Sequence, residues 1–287
     1  MKVNTLKLKD AAYPELLRHI AGPPEELHWS GAPIEKWIDL PKVAIVGSRK
    51  ATGYGLDVTH QLATELARSG VVIISGLAFG IDAAAHQAAL EAGGLTVAVL
   101  PTSLDKIYPA ANQQLATRII DSGGTLLSEY TSNSEIYKTN FVARNRLVSG
   151  LADILLITEA VFNSGSLHTA RFALEQGKTV MTVPGNITSP SSEGCNNLIK
   201  SGAVPVTCSE DVLFILGINP TKSKVRRIFQ GTSEQQLLFE LITQGVYGQE
   251  ELALASRLDS SAVNSALTML EINGYIRPQG GGLWKVA

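Results

Sequence analysis

The sequence predicts an α/β fold: a Rossmann-like, doubly wound and mostly parallel sheet, followed by a small winged-helix-like C-terminal domain. Three observations carry this expectation. Short apolar or β-branched runs alternate with segments of helical spacing from about Leu40 to about Gly217. A basic stretch containing Pro220 then interrupts the pattern. After it come three short helical patterns and a glycine-bearing hairpin. Strands of about four to six residues that are apolar throughout suit burial on both faces, as in a parallel sheet. Their alternation with helices implies right-handed βαβ crossovers.

Residues 1–39 carry Pro14, Pro23, Pro24 and Pro33 and one helical stretch near Asp10–Ile20. They are too few for a core of their own and are expected to pack on the sheet. Strands are predicted at Val43–Val46, Val71–Ile74, Thr96–Leu100, Thr125–Leu127, Ile154–Ile157, Thr179–Val183 and Val204–Val206. Gly53–Arg68 follows the first with Leu56, Leu62, Ala63, Leu66 and Ala67 on one side. This domain is placed at 40–217. A basic linker is placed at 218–231, where Lys222, Lys224, Arg226 and Arg227 occur without an acid. The winged-helix-like domain is placed at 232–287. Its helices are Ser233–Thr243, Gln249–Ser256 and Ser260–Ile272, the last capped by Asp259 and stopped at Gly274. Tyr275–Pro278 and Leu283–Val286 form its hairpin.

The chain has 287 residues, 24 of them Lys or Arg and 26 Asp or Glu, a formal net charge of −2. With 45% hydrophobic residues it has a globular composition, which excludes a disordered tail protein. Near-neutrality also excludes a protein that coats nucleic acid by bulk charge. The average hides structure, however. Residues 1–220 hold 17 basic and 20 acidic residues, 221–230 hold four basic and none acidic, and 231–287 hold three basic and six acidic. A narrow phosphate-lined site thus stays open. The longest apolar stretch, Val71–Ile81, is interrupted by Ser75, Gly76 and Gly80 and falls short of the ~20 residues of a membrane span. The N-terminus has no signal pattern. Two cysteines, Cys195 and Cys208, and five scattered histidines fit neither a disulfide framework nor a metal site. A reduced, cytoplasmic protein without metal or cofactor is expected.

Three strand ends carry the informative chemistry. Gly47-Ser48-Arg49, with Lys50 beyond it, follows the first strand and precedes a helix. A small residue there permits a sharp turn, helix-terminal N–H groups suit an anion, and Arg49 adds a charged fork suited to phosphate. Ser75-Gly76-Leu77-Ala78-Phe79-Gly80-Ile81-Asp82 follows the second strand in the same manner, and Asn163-Ser164-Gly165-Ser166-Leu167-His168-Thr169-Ala170 follows the fifth. In an open α/β sheet such ends share one edge, around the switch point where ligands bind. Any one turn could be glycine tightening alone; three together favour a shared anion site. Asp82 also fits a plain helix start. No G-x-x-x-x-G-K-[ST] or true G-x-G-x-x-G is present, which disfavours a P-loop ATPase and NAD binding. Lys138-Thr139-Asn140-Phe141-Val142-Ala143-Arg144-Asn145-Arg146 brings three cations, two amides and one aromatic together without a carboxylate. Cations for phosphates and an aromatic face for bases are what a single strand needs. Phe141 fits the core equally well, and Arg144 and Arg146 fit pairing with carboxylates such as Glu159.

These pieces resemble the DNA-processing protein A family (DprA, or Smf). So do Leu104-Asp105-Lys106-Ile107-Tyr108-Pro109, Val183-Pro184-Gly185 and Leu198-Ile199-Lys200-Ser201-Gly202-Ala203. The resemblance spans about Leu40 to Leu216. It implies a non-enzymatic single-stranded DNA-binding protein of natural transformation and recombination, which protects incoming DNA. It further implies a homodimer through the Rossmann-like domain that helps load the recombinase RecA. The family's DNA-binding arginine maps onto Arg49, its lysine onto Lys138, its aromatic onto Phe141, and its Ser/Gly turn onto Ser75, Gly76, Gly80 and Asp82. Val142 stands where the family usually has Pro, and the family usually has Gly near Pro101. A competing reading is a phosphoribohydrolase-type enzyme in which Glu159 and the Ser164–Thr169 turn hold a ribose phosphate. The Pro-Gly-Gly-x-Gly-Thr turn that such enzymes share is absent from this sequence. The acidic winged-helix-like domain is expected to serve protein contact or regulation, since groove-binding winged helices present a basic face.

Overall fold

The computed structural model describes residues 2–218 and 231–286. The chain divides into two compact units, Met1–Pro220 and Thr221–Ala287. The expected basic linker falls largely on residues 219–230, outside the described residues.

In the first unit the elements run β1 (Asn4–Lys7), α1 (Glu15–Arg18), β2 (Glu26–Gly31), β3 (Lys42–Val46), α2 (Gly53–Arg68), β4 (Val72–Ser75), α3 (Ile81–Glu91), β5 (Thr96–Leu100), α4 (Gln113–Asp121), β6 (Thr125–Ser128), α5 (Lys138–Leu151), β7 (Ile154–Ile157), α6 (Ser166–Glu175), β8 (Thr179–Thr182), α7 (Glu193–Lys200), β9 (Val204–Pro205) and α8 (Ser209–Ile215). The nine strands form one sheet in the order β1-β2-β6-β5-β4-β3-β7-β8-β9. From β6 to β9 every pairing is parallel. The doubly wound, mostly parallel architecture is therefore the one the sequence predicts.

Residues 1–39 do more than pack on this sheet. They extend it: β2 pairs antiparallel with β6, and β1 with β2. The same segment also packs Tyr13, Leu17, Ile20 and Trp37 into the core on one sheet face. Strands this short, broken by prolines, give no alternation long enough to detect in the sequence.

Alternation along each buried strand builds the two faces. Val43 and Ile45 of β3 point to a core filled by Leu62, Ala63 and Leu66 of α2 and Ala85 and Ala88 of α3. Ala44 and Val46 point to the opposite core, with Leu147 and Leu151 of α5 and Ala170 and Ala173 of α6. Leu56 sits at the edge of the α2 stripe and is 38% exposed, while Thr59 is buried there and hydrogen-bonds Thr158. The chain winds outward from β3 to β6, then α5 carries it back across β3 to β7. That reversal puts the crevice of an α/β sheet at the carboxyl ends of β3 and β7.

The second unit contains α9 (Ser233–Thr243), α10 (Gln249–Ser256), α11 (Ser260–Ile272) and the antiparallel hairpin β10 (Ile276–Gly280) and β11 (Leu283–Val286). Asp259 caps α11 by accepting from the Ala262 N–H at 2.8 Å. Leu238, Ile242, Leu252, Val263, Leu267, Leu270 and Ile276 form its core.

His86 of α3 is fully buried in the first unit. Its Nδ1 lies 2.6 Å from Thr96 Oγ1, and that hydroxyl donates to the Ile73 carbonyl at 2.7 Å. Nδ1 therefore carries the proton. Nε2 is buried without a partner among the described residues. Burial, aided by the Arg144 charge, pushes the imidazole pKa down to about 3. A base whose pKa falls on folding stabilises the protein fully above the unfolded value of ~6.5 and loses that contribution as pH drops towards 3. His86→Asn keeps the Nδ donor and cannot titrate. Urea unfolding should show the stability gap between wild type and His86→Asn shifting against wild type below pH 6.5, by up to about 1.4 kcal/mol per pH unit. A gap constant with pH would contradict a neutral buried His86.

Candidate nucleic-acid interface

The site forms where the turns after β3, β4 and β7 come together. A Cβ on Gly47 would lie 2.6 Å from Ile81 Cγ1 and 2.7 Å from the Glu159 carbonyl, so the approach of these loops requires glycine. Gly80 has φ +73°, and a Cβ there would lie 2.3 Å from the Ser48 carbonyl. Ser48 fastens the three turns with its backbone. Its N–H donates to the Glu159 carbonyl at 2.8 Å, and its carbonyl accepts from the Ile81 N–H at 3.2 Å.

A groove of about 740 Å³ opens over this edge. Ser48, Arg49 and Lys50 line it from the first turn, Lys138 and Phe141 from α5, and Ser164, Gly165, Ser166 and Thr169 from the start of α6. The Arg49 guanidinium lies over the Phe141 ring, 5.6 Å from its centroid. Tyr108 meets the same ring edge-on, at 4.9 Å and 78°. Arg49, Lys50 and Lys138 are exposed, and none of them sits in an ion pair among the described residues. The first turns of α2, α5 and α6 carry no acidic residue. The carboxylate that lines the groove, Asp82, is buried beneath it.

Under the groove lies a charged clamp. The Gly76 N–H donates to Asp82 at 3.1 Å, while Arg144 Nη1 donates to the Gly76 carbonyl at 2.5 Å and to the Val99 carbonyl. Both charged groups are buried. Burial pushes the Asp82 carboxyl up, opposed by the Arg144 charge. Burial likewise pulls Arg144 down to about 10, opposed by Asp82. Arg144 thus stays charged at neutral pH.

Several predicted site residues turn out to hold the protein itself. Ser75 is fully buried and donates to the Ile45 carbonyl at 2.5 Å, out of reach of a phosphate. Asn140 is buried and donates to the Glu135 carbonyl at 3.3 Å, bracing the loop before α5. Gly76, Asp82 and Arg144 form the clamp. Gly80 serves a close approach between two loops. The start of α2 is not open to an anion: the Glu159 carboxylate accepts from the Thr52 N–H at 3.0 Å and from its hydroxyl. That engagement also removes Glu159 from the groove and from pairing with arginines. Arg146 pairs instead with Glu129 at 2.6 Å. Tyr108, Val161 and His168 line the groove without having been singled out as site residues. Tyr108 and His168 had a signal, since they lie in the Leu104–Pro109 and Asn163–Ala170 motifs; Val161 had none.

The profile of the DNA recombination-mediator protein A family matches residues 4–217, and that of the DprA winged helix domain matches 223–282. The chain belongs to the DNA recombination-mediator protein A family. Protein Smf of Synechocystis is 38% identical over 85% of this chain, which spans 63% of that relative. Protein Smf of Escherichia coli is 45% identical over 60% of the chain, which spans 46% of it. The DNA processing protein DprA of Streptococcus pneumoniae is 41% identical over 74% of each. Its X-ray structure superposes with a TM-score of 0.69, covering 75% of this chain and 74% of that one. The family's DNA processing protein A from Helicobacter pylori, a structure described for its unique single-stranded DNA binding mode, superposes with a TM-score of 0.67. It is 35% identical, and the match covers 75% of this chain and 96% of that one.

The clamp makes a stability prediction. Arg144→Met removes three charge-assisted hydrogen bonds, to Gly76, Val99 and Asn145, and leaves a buried carboxylate unbalanced, at a cost of about 3–5 kcal/mol. In an Asp82→Asn background the same substitution should cost less, because the charge it balances is gone. Urea unfolding of the four proteins gives the cycle, and strict additivity would exclude the coupling.

Proposed function

We propose that the first unit binds single-stranded DNA along the groove, as a mediator of natural transformation and recombination rather than as an enzyme. The observation that supports it is the set of unpaired cations, Arg49, Lys50 and Lys138, gathered around an aromatic pair over a floor whose carboxylate is buried. Arg49 is charged and planar, so it can fork two phosphate oxygens while its face lies on Phe141. Lys138 sits as a point charge at the start of α5. The α6 start adds the Ser164 and Ser166 hydroxyls, 2.8 Å apart, beside Gly165. Phosphate contacts carry no base information, so binding along the groove is largely sequence-neutral. The single-strand binding mode described for the H. pylori relative points the same way. Homodimerisation through this unit, a cytoplasmic location, protection of incoming DNA and loading of RecA complete the proposal, on the strength of the family.

The hydrolase alternative finds less support, since Glu159, its key carboxylate, holds Thr52 and does not line the groove. Among the described residues no group of three or more His, Cys, Asp or Glu side chains could hold a metal ion. No helix among them is long and apolar enough to cross a membrane.

A salt titration tests the reading. Affinity for an oligothymidylate should fall with salt with a log–log slope of about −0.7 for each phosphate neutralised. Arg49→Ala combined with Lys138→Ala should abolish most binding, flatten the slope by about 1.4 and leave the unfolding midpoint unchanged. Undiminished binding by the double variant rejects the site. The winged-helix unit, with six acidic residues against three basic ones, should not by itself retain duplex DNA at moderate salt.

A further inference from the structure

A second recess, of about 620 Å³, opens where the start of α2 faces the loop after β8. It shares no lining residue with the groove, and the turn after β3 runs between them: Lys50 lines the groove and Thr52 the recess. Tyr54, Pro184, Gly185, Asn186 and Ser192 wall it, and none of its lining side chains carries a charge at neutral pH. A helix start attracts anions through its free N–H groups, but here the Glu159 carboxylate already accepts from the Thr52 N–H. The recess thus suits a neutral ligand.

Its polar groups are only partly engaged. Ser192 is 6% exposed, and its hydroxyl has no hydrogen-bond partner among the described residues. A buried hydroxyl in this state is costly unless a ligand supplies the partner. Glycine at 185 is required for the loop to close over it, because a Cβ there would lie 2.1 Å from Ser192 Oγ. Asn186 engages its side-chain oxygen with the Thr188 N–H and hydroxyl, at 2.9 and 2.8 Å, which leaves its amide N–H groups as donors. Tyr54 is 51% exposed, and its hydroxyl donates to the Pro184 carbonyl at 3.0 Å, so the ring is anchored at its tip. An anchored ring beside an amide donor and a buried hydroxyl offers a nucleobase a stacking surface and partners for its polar edge. Ribose hydroxyls are commonly met by a carboxylate, and none lines the recess.

We propose that a strand held in the groove continues over the turn after β3 and places one nucleobase in this recess, stacked on Tyr54, with its polar edge towards Asn186 Nδ2 and Ser192 Oγ. The inference rests on the single-stranded DNA reading above and lengthens the path of the strand beyond the cations. A neutral contact releases no counterion, so it adds affinity without steepening the salt dependence. The bound strand is then held by two kinds of contact: a salt-sensitive one in the groove and a salt-insensitive one across the turn.

The test uses the full chain and oligothymidylates lengthened one nucleotide at a time from about four to about twelve, the range of single-strand site sizes. Fluorescence anisotropy at several salt concentrations should show a step in affinity of about tenfold at one length, with no change in the log–log salt slope. Tyr54→Ala should remove the step and leave the affinity of shorter oligonucleotides unchanged, while Tyr54→Phe should keep it. Ser192→Ala should reduce the step without lowering the unfolding midpoint, because its hydroxyl has no partner to lose. 5-Iodouracil at the nucleotide that gives the step should photo-crosslink to Tyr54. A smooth gain with length in wild type overturns the recess and leaves the groove standing, as does a step that survives in both alanine variants or one that steepens the salt slope. Free thymidine perturbing Tyr54, with no step for strands, assigns the recess to a free nucleoside and overturns the strand path. Absence of single-strand binding by wild type would sink the groove reading itself, and the recess with it.

Discussion

The edge of the sheet is organised around one buried guanidinium. Arg144 reaches from α5 across the sheet to the carbonyls of Gly76 and Val99, at the ends of β4 and β5. Asp82, in the first turn of α3, takes the Gly76 N–H from the other side. Gly76 is thus held through both its N–H and its carbonyl, in two successive peptide units, and three elements are fixed with it. Gly76 must be glycine here, because a Cβ would lie 2.3 Å from Arg144 Nη1. An isolated charge of this kind would be prohibitive in a low-dielectric interior. Arg144 is tolerable because the carbonyls solvate it and Asp82 balances it, at a separation beyond direct ion pairing.

That arrangement explains how a chain of net charge −2 can present an anion-binding surface. Three carboxylates of the elements that build the crevice are engaged elsewhere. Asp82 bonds to backbone N–H groups below the groove, Glu159 closes the start of α2 through Thr52, and Glu129 pairs with Arg146. Arg49, Lys50 and Lys138 make no ion pair among the described residues and face one open volume, the Arg49 charge acting on the buried Asp82 beneath it. Local placement, more than total charge, sets the potential that a phosphate meets.

Much of the architecture was legible in the sequence because buried parallel strands and amphipathic helices have periods that a short window can detect. Ile154–Ile157, Thr96–Leu100 and the three helices of the second unit fall where apolar spacing puts them. β1 and β2 did not, since two short strands between prolines are specified by the edge of β6 that they complete. The site was half legible. Arg49, Lys50, Lys138 and Phe141 were singled out by residue type and position, and all four line the groove. Ser75 and Asn140 belong to the right segments, the end of β4 and the start of α5, yet their side chains are buried in hydrogen bonds within the protein. Sequence identifies a loop, but it does not give the direction of a χ1 angle.

What the sequence by itself determined is the class of fold and the three turns that converge at the switch point, which follow from periodicity and from where glycine is required, and the family, which its motifs resemble. What only the tertiary structure decided is which polar groups remain free. Whether an arginine faces solvent, as Arg49 does, or serves as a buried strut, as Arg144 does, depends on the distance of its neighbours in space. Arg144 and Arg146 stand two residues apart on one helix and look alike in composition. One is buried against carbonyls at the ends of two strands, and the other pairs with Glu129. That difference arises from packing between elements far apart in the chain, and no local pattern encodes it.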